Sequence, residues 1–182
     1  GDAATPSNLY AAWSEYGGGR PVVVANAGFF NMRTLESVSL LVNEGKVDAP
    51  DVRSVTRTNA NGEKVTVYPI HAAFGQMPDG SYEAQWIFCQ PEKDYHPYVY
   101  PFAVGNDDSL RLYSPAPPAV GQLGSYPWQV VDAVAAGPML VKNGRDVSLE
   151  SSLGESYYRT IGGKARHNRT AIGLTDDGKL VI

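Results

Sequence analysis

"MLVKNGRDVS", residues 139–148, is the stretch from which the fold is most directly read. An apolar run from Met139 to Val141 is followed by Asn143-Gly144, the residue pair best suited to the two positive φ angles of a tight hairpin, and Arg145 to Val147 then lead away. A hairpin at this point predicts antiparallel pairing. The same punctuation recurs at Asn61-Gly62, Asp79-Gly80 and Asp177-Gly178. Short β-rich runs stand between these turns: "PVVVAN", "SVSLLVN", "EKVTVYPI", "SYEAQWIF", "SLRLY", "DAVAAG", "MLVK", "RTAIGLT" and "KLVI". A chain punctuated in this way makes strands joined by hairpins.

The N-terminal segment "TPSNLYAAWSEYGGG" has a different period. Leu9, Ala12, Trp13 and Tyr16 recur at i, i+3, i+4 and i+7, one face of a helix. Thr5 suits the cap, Pro6 the first helical position and Gly17 the stop. Gly17 to Gly19 read as a helix end and loop rather than a phosphate cradle, because no G-K-[ST] follows. Residues 91–128 hold seven of the thirteen prolines, a density that argues against central strands and for a long surface excursion enclosing the short strand "SLRLY". In "DYHPYVYP", residues 94–101, the rings either stack on a sugar or cover the sheet, and covering is the simpler reading. No repeat, low-complexity tract or charge block divides the chain. The fold class expected is α+β, strand-rich with a mixed or antiparallel sheet and an N-terminal helix, in a single domain over residues 1–182.

Bulk composition narrows the function classes. With 43% hydrophobic and 19% charged residues among 182, the chain is long enough to bury roughly 70% of its unfolded surface around one core. Net charge is −4, without a basic cluster beyond the scattered Lys164, Arg166 and Arg169, so nucleic acid is not an expected partner. The single cysteine, Cys89, can build neither an internal disulfide nor a zinc knuckle and reads as a small buried apolar residue. No metal site is expected, and the sequence does not assign a cofactor. No run of 18 apolar residues is present to cross a membrane, and "GDAATPSN" lacks the regions of a signal peptide. Gly1 is not an initiator residue, so a processed or engineered N-terminus, with an export signal removed, is the expectation.

Three segments have the residue types for chemistry. In "VVVANAGFFN" the valines read as a strand buried on both faces, with Asn26, Gly28, Phe29, Phe30 and Asn31 at its C-terminal end. Either Gly28 lets the backbone approach a ligand beside an aromatic wall, or the asparagines cap a turn and the phenylalanines plug the core. In "ARHNRTAIG", residues 165–173, Arg169 begins a predicted strand continuing through Thr170, and His167 lies two residues earlier. A guanidinium can hold a phosphate or carboxylate through two parallel hydrogen bonds, and it can equally be a salt-bridged strand end. In "AAGPMLVKNG", Gly137 precedes a proline, for which a simple bend is a sufficient account. The carboxylates Asp107, Asp108, Asp132, Glu150, Glu155, Asp176 and Asp177 are scattered, so spacing selects no acid and base pair.

Five segments occur in one order: "VANAGFFNM" (24–32), "SLLVNEGKV" (39–47), "AAFGQMPDGSYEAQW" (72–86), "AAGPMLVKNGR" (135–145) and "HNRTAIGLTDDGKLVI" (167–182). Together they resemble the phosphodiester glycosidase family over roughly residues 20–182. The resemblance implies hydrolysis of a sugar joined through its anomeric oxygen to a phosphodiester, on cell-surface or extracellular glycans, and hence a carbohydrate or sugar-phosphate partner and an extracytoplasmic location. It implies Arg169, His167 and Thr170 as catalytic residues, and Asn26, Gly28, Phe29, Phe30, Asn31 and Gly137 as substrate-binding residues. Ala27 departs from the family pattern, where glycine is frequent. Relatives continue beyond the strand at which this sequence ends, so a missing C-terminal part of the domain, with family carboxylates on it, is the expectation. A noncatalytic carbohydrate or exopolysaccharide-binding module and a purely structural domain are the alternatives.

Overall fold

The computed structural model describes residues 4–15, 21, 23–51, 54–58, 61–101, 103, 116–155 and 166–182. The hairpin predicted at Asn143-Gly144 is present: β10 (Val141–Lys142) pairs with β11 (Arg145–Asp146), and both turn residues have positive φ, 51° and 72°. The other three turn dipeptides also join antiparallel neighbours. They connect β3 (Val55–Thr58) to β4 (Lys64–Val67), β5 (His71–Gln76) to β6 (Tyr82–Gln90), and β12 (Gly173–Leu174) to β13 (Leu180–Val181). A further hairpin, β1 (Leu41–Asn43) to β2 (Lys46–Ala49), turns at Glu44-Gly45, a pair the sequence reading passed over.

Within the described residues, seven strands form one antiparallel sheet in the order β2-β1-β9-β5-β6-β7-β8, with β7 at His96–Tyr100, β8 at Tyr126–Pro127 and β9 at Asp132–Ala135. The long strand β6 shows why the sheet holds. Ile87 and Cys89 point into a cluster with Leu40, Val42, Val99, Trp128 and Ala135, whereas Trp86 and Phe88 point into a second cluster with Ile70, Tyr100, Met139 and Val147. Side chains alternate across a strand, so a continuous apolar run is what a sheet covered on both faces requires. Cys89 is outside any disulfide and 1% exposed, as its isolation in the sequence implied.

Several expectations are corrected. Proline density did not exclude an interior strand, since β7 lies between β6 and β8 with Pro97 opposite Cys89. The N–H and C=O of a strand residue point to the same side, and the Pro97 carbonyl accepts from Trp128 N (2.9 Å). The missing donor therefore faces away from β6 and costs that ladder nothing. Tyr98 and Tyr100 are buried in that strand, so these two rings belong to the core, whereas Tyr95 is 40% exposed. The valine run before Ala25 forms no strand over 23–27, and Val23 is 53% exposed; β-branched residues make a strand only where a ladder partner is available. Residues 166–172 are likewise irregular, and the strand expected from Arg169 is confined to Gly173–Leu174. The "SLRLY" segment lies outside the described residues.

The helix α1 spans Pro6–Glu15, with Asn8 N donating to Thr5 Oγ1 (3.2 Å), the predicted cap. None of its residues is buried, so the predicted apolar face covers no core. Tyr16 and Gly17 lie outside the described residues. A second short helix, α2 (Ser148–Gly154), follows the β10–β11 hairpin without having been predicted. Among the described residues no helix is long and apolar enough to cross a membrane.

Candidate functional site

Strand β9 brings two of the predicted segments together. It is paired on one side to β1 and on the other to β5, so its position is fixed by ladders on both edges. At its end Ala136 N donates to Ala72 O (3.0 Å), and the chain continues through Gly137 and the cis Gly137–Pro138 peptide.

Gly28 lies over this end of β9. A Cβ built on it would stand 3.5 Å from both Ala135 O and Val134 Cγ2 and 3.6 Å from Ser39 Cβ, and its φ is +59°. Space would permit a side chain there; the left-handed backbone is what favours glycine. The following residues form a closed loop. Phe29 N donates to the buried Ser39 Oγ (2.7 Å), Val38 N donates to Phe29 O (2.9 Å), and Phe30 bridges to Ser37. Asn31 takes the turn-capping role, its Oδ1 accepting from Arg33 N (2.8 Å) and Thr34 N (3.3 Å). Among the described residues neither phenylalanine joins a core cluster: Phe29 is half-buried and Phe30 is 51% exposed. Asn26 is exposed at the entry to this loop.

On the other side of β9, Gly137 has φ +118°, and a Cβ there would fall 2.6 Å from Glu155 Oε2. Contact and backbone thus both demand glycine, and the simple-bend account is too weak for this position. Glu155 is fully buried. Its Oε1 accepts from Trp86 Nε1 (2.7 Å) and Met139 N (2.9 Å), and its Oε2 from Ala72 N (3.2 Å). Burial pushes this carboxyl above the ordinary glutamate range, while hydrogen bonds from Met139, Trp86 and Ser151, with the nearby His71, pull the other way. With three donors aimed at it, Glu155 is an anchor for the Gly137–Met139 backbone. A second buried pair, His71 Nδ1 with Asp51 Oδ2, sits at the start of β5, where Asp51 N also donates to Cys89 Sγ (3.4 Å).

His167, Arg169 and Thr170 are exposed on the irregular segment leading into the β12–β13 hairpin, and β12 lies beside β6. The geometry therefore places Gly28 over the end of β9 and Gly137 just after it, and leaves His167, Arg169 and Thr170 exposed ahead of β12. Another half-buried cation stands near the Glu155 anchor. Lys142 Nζ donates to Gln85 Oε1 (2.6 Å) and Ala84 O (3.1 Å) and lies 5.5 Å from the centre of the Trp86 ring. Burial lowers its pKa, against the opposing pull of Glu83. With Arg145 and Glu150 it borders an opening of about 300 Å³.

Glu155, His71 and Asp51 escaped the sequence reading as members of this site. Their partners lie 16 to 83 residues away, and no local spacing marks such pairs. Among the described residues no group of three or more His, Cys, Asp or Glu is placed to hold a metal ion. No curated protein and no solved structure matched the chain. A family model described as phosphodiester glycosidase matches residues 19–182, taking in the Gly28, Gly137 and Arg169 segments in one alignment, and the chain belongs to the phosphodiester glycosidase family.

Proposed function

We propose that this protein hydrolyses a sugar-1-phosphodiester, water replacing the phosphodiester oxygen so that free sugar and a phosphomonoester are released, with cell-surface or extracellular glycans as the source of substrate. The family sets the class: a glycosidase-like hydrolase with a sugar-containing substrate. The observation that carries the reading is the meeting of two glycine segments at the end of β9, Gly28 over Val134 and Ala135, and Gly137 against Glu155. The fold uses the backbone groups there, Phe29 N on Ser39 Oγ, Phe29 O on Val38 N and Met139 N on Glu155 Oε1, so recognition falls to side chains such as the exposed Phe30 ring.

In this reading Asn26, Phe29 and Phe30 face the sugar, Asn31 holds their loop closed, and Arg169 neutralises charge on the departing phosphate. Thr170 adds a hydrogen bond, and His167 transfers a proton or orients the phosphate. A phosphodiester is a weakly basic leaving group, so its departure needs little protonation and gains most from a fixed cation. The exposure of all three residues leaves them accessible to such a substrate.

The test is turnover of a synthetic sugar-1-phosphodiester by the chain and by Arg169→Ala. The expected loss in kcat/KM is about 10²- to 10³-fold, the usual effect of deleting one charge-stabilising group, with an unchanged unfolding midpoint. Unchanged turnover removes Arg169 from the mechanism. Saccharide binding without product in the parent chain selects the noncatalytic binding module instead.

A further inference from the structure

The hairpin at Asn143-Gly144 sets two cations against each other. In the β10–β11 register Lys142 stands directly opposite Arg145, and residues opposed in this way share one face of a strand pair. Like charges so placed weaken the pairing. A carboxylate between them would remove the conflict, but among the described residues neither side chain forms an ion pair, and the Arg145 guanidinium makes no hydrogen bond. The fold leaves the repulsion uncompensated.

Lys142 is the more constrained of the two. It is half-buried, and its Nζ donates to Gln85 Oε1 (2.6 Å) and Ala84 O (3.1 Å). An ammonium has three N–H donors, so one is left over. The accepting amide is itself fixed, because Gln85 Nε2 donates to Glu83 Oε2 (2.8 Å) while the other Glu83 oxygen accepts from Trp128 Nε1. This series of bonds holds the ammonium 5.5 Å from the centre of the Trp86 ring. Burial opposes its charge, so an anion brought alongside offsets a cost the fold already carries.

Both cations border the opening of about 300 Å³, where Asn143 and Glu150 are the other polar residues. Two cations, an amide and one carboxylate give this lining a net positive charge. Glu150 is exposed on α2 and pairs with neither cation. The volume suits a small ligand, and the chemistry suits an oxyanion, whose several oxygens can accept from an ammonium and a guanidinium together.

We propose that the Lys142–Arg145 pair binds a phosphoryl group, Lys142 through its remaining N–H and Arg145 through its guanidinium, with residues separate from the phosphate position given to Arg169. The anion follows from the uncompensated cation pair. The choice of a phosphoryl group over a carboxylate rests on the hydrolytic reading, in which phosphate is common to substrate and product.

The probe is inorganic phosphate, titrated into the parent chain at constant ionic strength, with sodium chloride and acetate as controls. The readout is the side-chain resonances of Lys142, assigned by their loss in Lys142→Gln. At about 10 mM phosphate, roughly tenfold above a 1 mM dissociation constant, they should shift saturably. Arg145→Gln should weaken phosphate about tenfold, the loss of one charged hydrogen bond, yet unfold no earlier than the parent in phosphate-free buffer because the repulsion is gone. A merely structural pair predicts the reverse, an earlier unfolding with an unchanged phosphate response. Arg169→Ala should keep the Lys142 response. An unmoved Lys142 signal overturns the proposal, as do an equal response to chloride, full phosphate affinity in Arg145→Gln, or loss of the response in Arg169→Ala, which gives the anion to Arg169. Acetate bound as tightly as phosphate overturns the phosphoryl assignment. The signal in the parent chain decides the matter should a variant not fold. Turnover with an unmoved Lys142 signal sinks this proposal alone, and phosphate binding here without turnover sinks only the hydrolytic reading.

Discussion

Glu155 collects donors from β5, from β6 and from the β9–β10 connection, and its Oε2 occupies the space that a side chain on residue 137 would need. Burial opposes its charge and the donors favour it, with burial the larger effect. The sign of the pH dependence follows from this. A carboxyl whose folded pKa is raised contributes stability that is complete below the unfolded value of about 4.3 and is lost as pH climbs through the folded value. Glu155→Gln removes that titration, so its stability should lack this decline, and it should lie about 1–3 kcal/mol below the parent near pH 4 because an amide nitrogen then faces one of the N–H donors. Urea unfolding of both proteins across pH checks this; a difference between them that is constant with pH contradicts it. The residues of the site were legible to unequal degrees. Gly28 and Gly137 were visible because a glycine beside aromatics or before a proline advertises a special backbone. Asn31 was equally visible, and its Oδ1 takes the turn-capping role on Arg33 N and Thr34 N. Glu155 was one scattered acid among several, since nothing near it in sequence announces that Trp86 and Ala72 will supply its donors.

Elements were readable wherever a turn carried their signature. The Asn143-Gly144 pair is the clearest, and among the described residues no atom lies within 4 Å of a Cβ placed on Gly144, so the cost of substitution there is conformational. Gly144→Val should therefore cost about 1–2 kcal/mol, the penalty for a side chain in the left-handed region, whereas Gly144→Asn should cost much less because asparagine tolerates that region. Amide exchange in β10 and β11 is the direct measure: faster exchange for valine with little change for asparagine is expected, and equal acceleration by both would point to a lost contact instead. The same turn logic located β3–β4, β5–β6 and β12–β13. It failed where pairing decides the outcome. Val23 and Val24 have strand propensity and no ladder, while Pro97 has the wrong propensity and a position in β7 that spares its missing donor. Helix α1 has its cap and its period, but whether an apolar stripe is covered depends on what packs against it, which periodicity does not encode.

At the scale of the molecule, Trp128 packs against one face of the sheet and touches three neighbouring strands, β5, β6 and β7. It is fully buried in the cluster containing Ile87, Val99 and Ala135, its ring lies where a Cβ on Gly75 of β5 would stand (2.9 Å), its N donates to Pro97 O in β7, and its Nε1 donates to Glu83 Oε1 in β6 (2.5 Å). Trp128→Ala should cost about 3–5 kcal/mol, a large fraction of the roughly 5–15 kcal/mol that stabilises a typical domain. Trp128→Phe keeps most of the ring volume and loses the indole donor, leaving half-buried Glu83 to solvent, so a cost of about 1–2 kcal/mol is expected. Denaturant unfolding of the two variants separates volume from hydrogen bonding. A much larger loss for alanine than for phenylalanine means that the filled interior holds the curl of the sheet. Equal losses would instead assign the stabilisation to the Glu83 bond, and the curl would then be a property of the strand ladders themselves, able to survive an underpacked centre.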